Sequence, residues 1–107
     1  MGTDREQIRE VVLNLVWSAE ARQELRTILE YIADRNAQAA AHLMGAIEAC
    51  TERLAAHPYL HRRGRISGTR EAVVHPNYIL IYEVSVDAVE IRSVIHTRRE
   101  YPPSDPE

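Results

Sequence analysis

Apolar residues recur along this chain with two different periods, and the changes of period mark its elements. Tyr78-Ile-Leu-Ile-Tyr-Glu-Val84 is rich in β-branched and aromatic residues and carries apolar side chains in both alternating phases. Such a run predicts a central strand covered on both faces, with neighbours on either side. Strand character also marks Arg70 to Val74 and Val89 to Ile95. In the last of these, Val89, Ile91, Ser93 and Ile95 share one phase, predicted to face inward, and Glu90, Arg92, Val94 and His96 share the outward phase. His75-Pro76-Asn77 supplies a fixed φ at proline and an asparagine that tolerates left-handed backbone, so a tight reversal is expected there. A second reversal is expected near Val86-Asp87-Ala88.

Upstream the period lengthens. Val11 to Trp17 fits both templates, and its β-branched content followed by Ser18 favours a strand ending at Trp17. Ser18 is a candidate N-cap, with Glu20 in the first turn where negative charge meets the helix dipole. Leu25, Ile28, Leu29 and Ile32 fall at i, i+3, i+4 and i+7, opposite Arg22, Arg26 and Glu30. Asp34-Arg35-Asn36 interrupts this stripe, and Asn36 can cap a second helix with Ala40, Leu43, Ile47, Cys50 and Leu54 on its apolar side. His57-Pro58 ends it.

The order β-α-α-β-β-β predicts an α+β fold in which a helical hairpin packs on one face of a twisted, mainly antiparallel four-stranded sheet. The opposite face stays partly open. If the first strand pairs with one of the last three, the hairpin forms the long crossover that a parallel neighbour needs. Residues 1–10 read as a polar lead-in, 11–102 as a single domain and 103–107 as a frayed tail. At 107 residues the chain is one domain by size.

Charge adds the next constraint. The formal net charge is -3, and all 13 basic residues are arginine. Seven of them lie between His61 and Tyr101 against five acids, while the rest of the chain is strongly acidic. An acidic body with an arginine-rich edge suits an acidic protein partner and argues against direct nucleic-acid binding by charge alone. No apolar run is long enough to cross a bilayer, and the lone Cys50 has no internal disulfide partner, which fits a cytoplasmic protein. His57 and His61 are spaced i, i+4, but Pro58 lies between them, and no metal or cofactor is implied.

An ordered set of residues resembles a known family. Trp17-Ser-x-x-Ala21-x-x-x-Leu25-x-x-Ile28-x-x-Tyr31-Ile32, Ala41 through Leu54, Pro58, Gly64-Arg65, Thr69-Arg70-Glu71, Tyr78 to Tyr82 and Val94-Ile-His96-x-Arg98-Arg99-x-Tyr101-Pro102 are similar to the RelE/ParE superfamily of bacterial type II toxins. The resemblance implies growth arrest by one of two routes. RelE-like members cut mRNA on the ribosome; ParE-like members inhibit DNA gyrase and lack the nuclease residues. The Gly-Thr-Arg-Glu turn and the His-x-Arg-Arg-x-Tyr-Pro ending look ParE-like. The resemblance also implies a cognate antitoxin laying an extended segment and an amphipathic helix over the toxin. Self-association into a homodimer and a toxin–antitoxin hetero-oligomer both stay open.

The same residues bear on RNA-cleaving chemistry. Cleaving RNA through its 2′-hydroxyl needs a base, an acid and cations at the scissile phosphate; His96, Arg70, Arg98 and Tyr101 are the candidates, with Glu71 as a further carboxylate. Lysine is absent, and arginine does not exchange its proton, so the composition leans against catalysis. As partner contacts the expected set is Arg62, Arg63, Arg65, Arg70, His96, Arg98, Arg99 and Tyr101. Arg70 is expected to pair with Glu71 or Glu90 as well.

Overall fold

A computed structural model describes residues 12–98, so Val11, Arg99, Tyr101, the lead-in and the tail lie outside the described residues. The elements are β1 (Asn14–Trp17), α1 (Ala19–Arg35), α2 (Ala37–Ala56), β2 (Arg70–His75), β3 (Tyr78–Val84) and β4 (Ala88–His96). The sheet runs β1-β4-β3-β2, with β1 parallel to β4 and the other pairs antiparallel. The helical hairpin is the crossover between the first and last parts of this sheet, as a parallel pair requires.

Local chemistry fixes the hairpin. Ser18 is extended (φ -67°, ψ 159°), and its Oγ accepts the Ala21 N–H at 3.0 Å. Asn36 alone separates the helices and serves both. Its N–H donates to the Ile32 carbonyl at 2.7 Å, closing α1, and its Oδ1 accepts the Ala39 N–H at 3.0 Å, opening α2.

The core lies between α2 and the sheet. Leu43, Ile47, Cys50 and Leu54 of α2 are all buried. Leu54 belongs to one cluster with Leu80, Tyr82, Val89, Ile91 and Val94; Leu43 and Ile47 pack with Tyr78. Each such aliphatic side chain contributes about 1.5–3 kcal/mol by leaving water. Trp17 is half-buried and packs against both clusters. The α1 stripe is different: only Ala21 is fully buried, and Leu25, Ile28, Leu29 and Ile32 remain half-covered.

Two expectations for the sheet need correction. Ile81 pairs with Ser93 but Tyr82 pairs with Ile91, so Arg92 is an extra residue at a β-bulge. The bulge reverses the phase of β4. Val94 therefore joins the helix-side core, whereas Ile95 packs with Ile79 and Ile81 on the far face. That face is closed over these three isoleucines and open at Val73, which is 56% exposed. The reversal at Pro76-Asn77 is present, yet no non-glycine residue among those described has positive φ. Instead the Asn77 N–H donates to His75 Nδ1 at 3.0 Å.

Glu24 anchors α1 across the bulge. Its Oε1 accepts from Ser93 Oγ at 2.8 Å and from the Val94 N–H at 2.9 Å, giving the irregular backbone a partner it would otherwise lack.

Candidate functional site

The candidate residues fall into two groups at opposite ends of β3. Arg70 pairs with Tyr82, and His96 pairs with Tyr78, four residues away. The strand rise puts about 13 Å between these levels. Arg70 and His96 also lie on different strands flanking β3.

At the first end, the segment before β2 doubles back on it. Arg63 and Arg70 form an isolated antiparallel bridge, the Glu71 N–H donates to the Arg62 carbonyl at 3.1 Å, and the Gly64 N–H donates to the Thr69 carbonyl at 2.7 Å. A Cβ at Gly64 would overlap the Thr69 side chain, and Gly68 has φ 86°, so the turn needs glycine at both places. Glu71 is buried within this arrangement. Its Oε1 accepts from Arg62 Nη2 at 3.0 Å, while its Oε2 accepts the Arg65 N–H at 3.1 Å and faces Arg65 Nε at 3.7 Å.

Arg70 pairs with neither Glu71 nor Glu90, contrary to expectation. Its Nη1 donates to the His61 carbonyl at 2.7 Å, and its guanidinium lies 4.9 Å from the centroid of the Tyr59 ring. Arg70 shares its pleat phase with Tyr82, whereas Glu71 points the other way; Glu90 is taken by Arg92 at 3.2 Å. Around this end lies a cavity of about 500 Å³ lined by Arg63, Arg65, Arg70 and Tyr59.

Beneath it, Tyr82 is fully buried and its hydroxyl donates to the Pro58 carbonyl at 2.9 Å. Burial pushes this phenol up to about 12, with Arg70 pulling the other way. His61, edge-on to Tyr82 with Nε2 buried and unpartnered, is held below its ordinary range by burial and by Arg53. Because the folded state binds the phenolic proton more tightly, Tyr82 contributes stability that is complete below pH 10 and is lost as pH rises to about 12. Urea titrations across that range should show a loss of about 2–3 kcal/mol from this group, and Tyr82→Phe should make the slope shallower, leaving the share of Tyr78. A wild-type profile as shallow as that of the variant would contradict this assignment.

At the other end, His96 lines a groove of about 560 Å³ with Glu24, Ile28, Tyr31, Tyr78 and Val94. The Tyr78 ring meets His96 edge-on at 5.1 Å. His96 Nδ1 accepts the Arg98 N–H at 3.0 Å, which leaves Nε2 to carry the ring proton. Burial raises the Tyr78 phenol, and Tyr31 adds to that. Among the described residues no arginine lines this groove. Arg98 is exposed beside His96, whereas Arg62, Arg63, Arg65 and Arg70 belong to the far end.

The sequence does not single out Glu24, Tyr31 or Tyr59 as site residues. Tyr31 had a readable mark, an aromatic three residues after Ile28 and beside the apolar stripe. Glu24 had none, since its partners are about seventy residues away. Among the described residues no cluster of His, Cys, Asp or Glu could hold a metal ion, and no helix is long and apolar enough to cross a membrane.

A two-helix hairpin on a four-stranded sheet with one parallel edge is the RelE/ParE toxin fold. The chain belongs to the family described as the ParE toxin of the type II toxin–antitoxin system, parDE, which matches residues 15–101. Similar solved structures include a chain of the chromosomal ParDE TA system from P. aeruginosa, at 16% identity and TM-score 0.69, covering 79% of this chain and 96% of that one. A chain of the E. coli DinJ-YafQ toxin–antitoxin complex matches at 16% identity and TM-score 0.59, covering 85% and 99%. The RelBE2 toxin–antitoxin complex from Mycobacterium tuberculosis matches at 21% identity and TM-score 0.57, covering 80% and 99%. These likenesses speak for the fold alone. No curated protein matches the sequence.

Proposed function

We propose that this toxin arrests growth by binding and inhibiting DNA gyrase, and that a cognate antitoxin neutralises it by covering the groove between α1 and the sheet. The observation that carries the reading is the separation of Arg70 and Glu71 from His96. An RNA-cleaving site needs base, acid and cations around one phosphate. Here Arg70 lies about 13 Å along β3 from the level of His96. Both oxygens of Glu71 are held by Arg62 and Arg65. On the sheet face away from the helices, Ile79, Ile81 and Ile95 form a buried apolar cluster. His96 then acts as a contact residue. The arginine end is the edge that meets acidic partners, through the paired donors of guanidinium.

The groove fits an amphipathic antitoxin helix because the α1 stripe is only half-covered by the chain itself. Purified antitoxin-free chain should abolish supercoiling by DNA gyrase and leave mRNA intact on translating ribosomes. Untouched supercoiling with cut mRNA would transfer the protein to the ribosome-dependent endonucleases.

A further inference from the structure

We propose that the cavity at the arginine end binds a phosphate dianion, either inorganic phosphate or the phosphate of a mononucleotide. It is lined by Arg63, Arg65, Arg70, Ser67, Thr69 and Tyr59, and among the described residues no acid borders it. Its volume of about 500 Å³ lies within the range of small-ligand sites.

Two of the three guanidiniums there, those of Arg63 and Arg70, have no carboxylate partner among the described residues. Glu71, the nearest acid in sequence, spends its two oxygens on Arg62 and Arg65. The Arg63 guanidinium has no ion pair or hydrogen bond among the described residues. Arg70 is held in place by the His61 carbonyl and the Tyr59 ring, contacts that leave most of its five donors uncommitted. The Ser67 hydroxyl and the N–H groups of Ser67 and Gly68 have no partner among the described residues either. Donors therefore come from two side-chain cations and from the turn at Gly68.

Such a set selects phosphate over carboxylate. A planar carboxylate is satisfied by one guanidinium fork, whereas a tetrahedral dianion presents three oxygens in different directions and matches two cations. A long polyanion is disfavoured by a chain of net charge -3. Tyr59, 64% exposed, offers the stacking surface that would distinguish a nucleotide from free phosphate.

This inference refines the contact edge proposed above and does not require gyrase to be the target. The test is calorimetric titration of the full chain at low salt with inorganic phosphate and with AMP. Saturable binding is expected, weakened about tenfold or more by Arg63→Gln and unchanged by Arg22→Gln on the exposed side of α1. Tighter binding of AMP that is lost in Tyr59→Ala identifies a nucleotide; equal affinity identifies free phosphate. Absence of saturable binding, an unaffected Arg63→Gln variant, equal competition by acetate, or preference for a DNA oligonucleotide over AMP would each overturn the proposal. Supercoiling is measured on the same samples, so a chain that inhibits gyrase yet ignores phosphate loses this inference alone.

Discussion

Replacing Glu71 by alanine is expected to lower the unfolding free energy by about 3 kcal/mol, the cost of emptying a buried acceptor that several donors converge on. The Glu71 side chain is 1% exposed, while those of Arg62 and Arg65 are 61% and 53% exposed. Exposed guanidiniums recover hydration when the pair is broken, so little of the loss belongs to them. The larger part belongs to the Arg65 N–H, which loses its acceptor, and to the turn between Gly64 and Thr69 that this bond orders. Glu71→Gln keeps an oxygen for that N–H and should cost about half as much. Urea unfolding would show a shifted midpoint at unchanged slope, and amide exchange should quicken in residues 62–70. A change within about 0.5 kcal/mol, the scatter of ordinary surface substitutions, would mean that Glu71 does not organise the arginine end.

Ser18, Asn36 and His57-Pro58 announce the helix ends because capping is local chemistry, decided within three residues of the cap. The parallel β1–β4 edge follows from element order, since only the hairpin is long enough to cross over. The bulge at Arg92 is not legible. Alternation reads one phase through β4, and nothing between Val89 and Ile95 marks an inserted residue. The same limit governs the site. Four arginines within nine residues are visible as a charge cluster, but which of them Glu71 holds depends on how the 62–70 turn folds over β2. Likewise His96 and Arg70 stand in one sheet-forming stretch of sequence, and only the antiparallel register sends them to opposite ends.

The two ends give the second large effect. Tyr31→Ala is expected to weaken antitoxin binding about 30-fold or more, the usual cost of truncating a central aromatic anchor. Tyr31 lines the groove and is 57% exposed, and Arg35 lies over its ring at 3.9 Å, which pre-orients the ring while leaving much of it open. With so little of the side chain buried, its removal should cost the free toxin only a few tenths of a kcal/mol, so a binding defect is separable from unfolding. Tyr59→Ala is the matched control, because Tyr59 is 64% exposed but sits beside Arg70 at the far end of the sheet. Its effect on antitoxin affinity should stay below about threefold, the level of contacts outside an energetic centre. Dissociation constants measured for both variants by surface plasmon resonance decide the matter. If the Tyr59 variant loses the antitoxin and the Tyr31 variant keeps it, neutralisation is centred on the arginine end, and the groove beside His96 is open to the target instead.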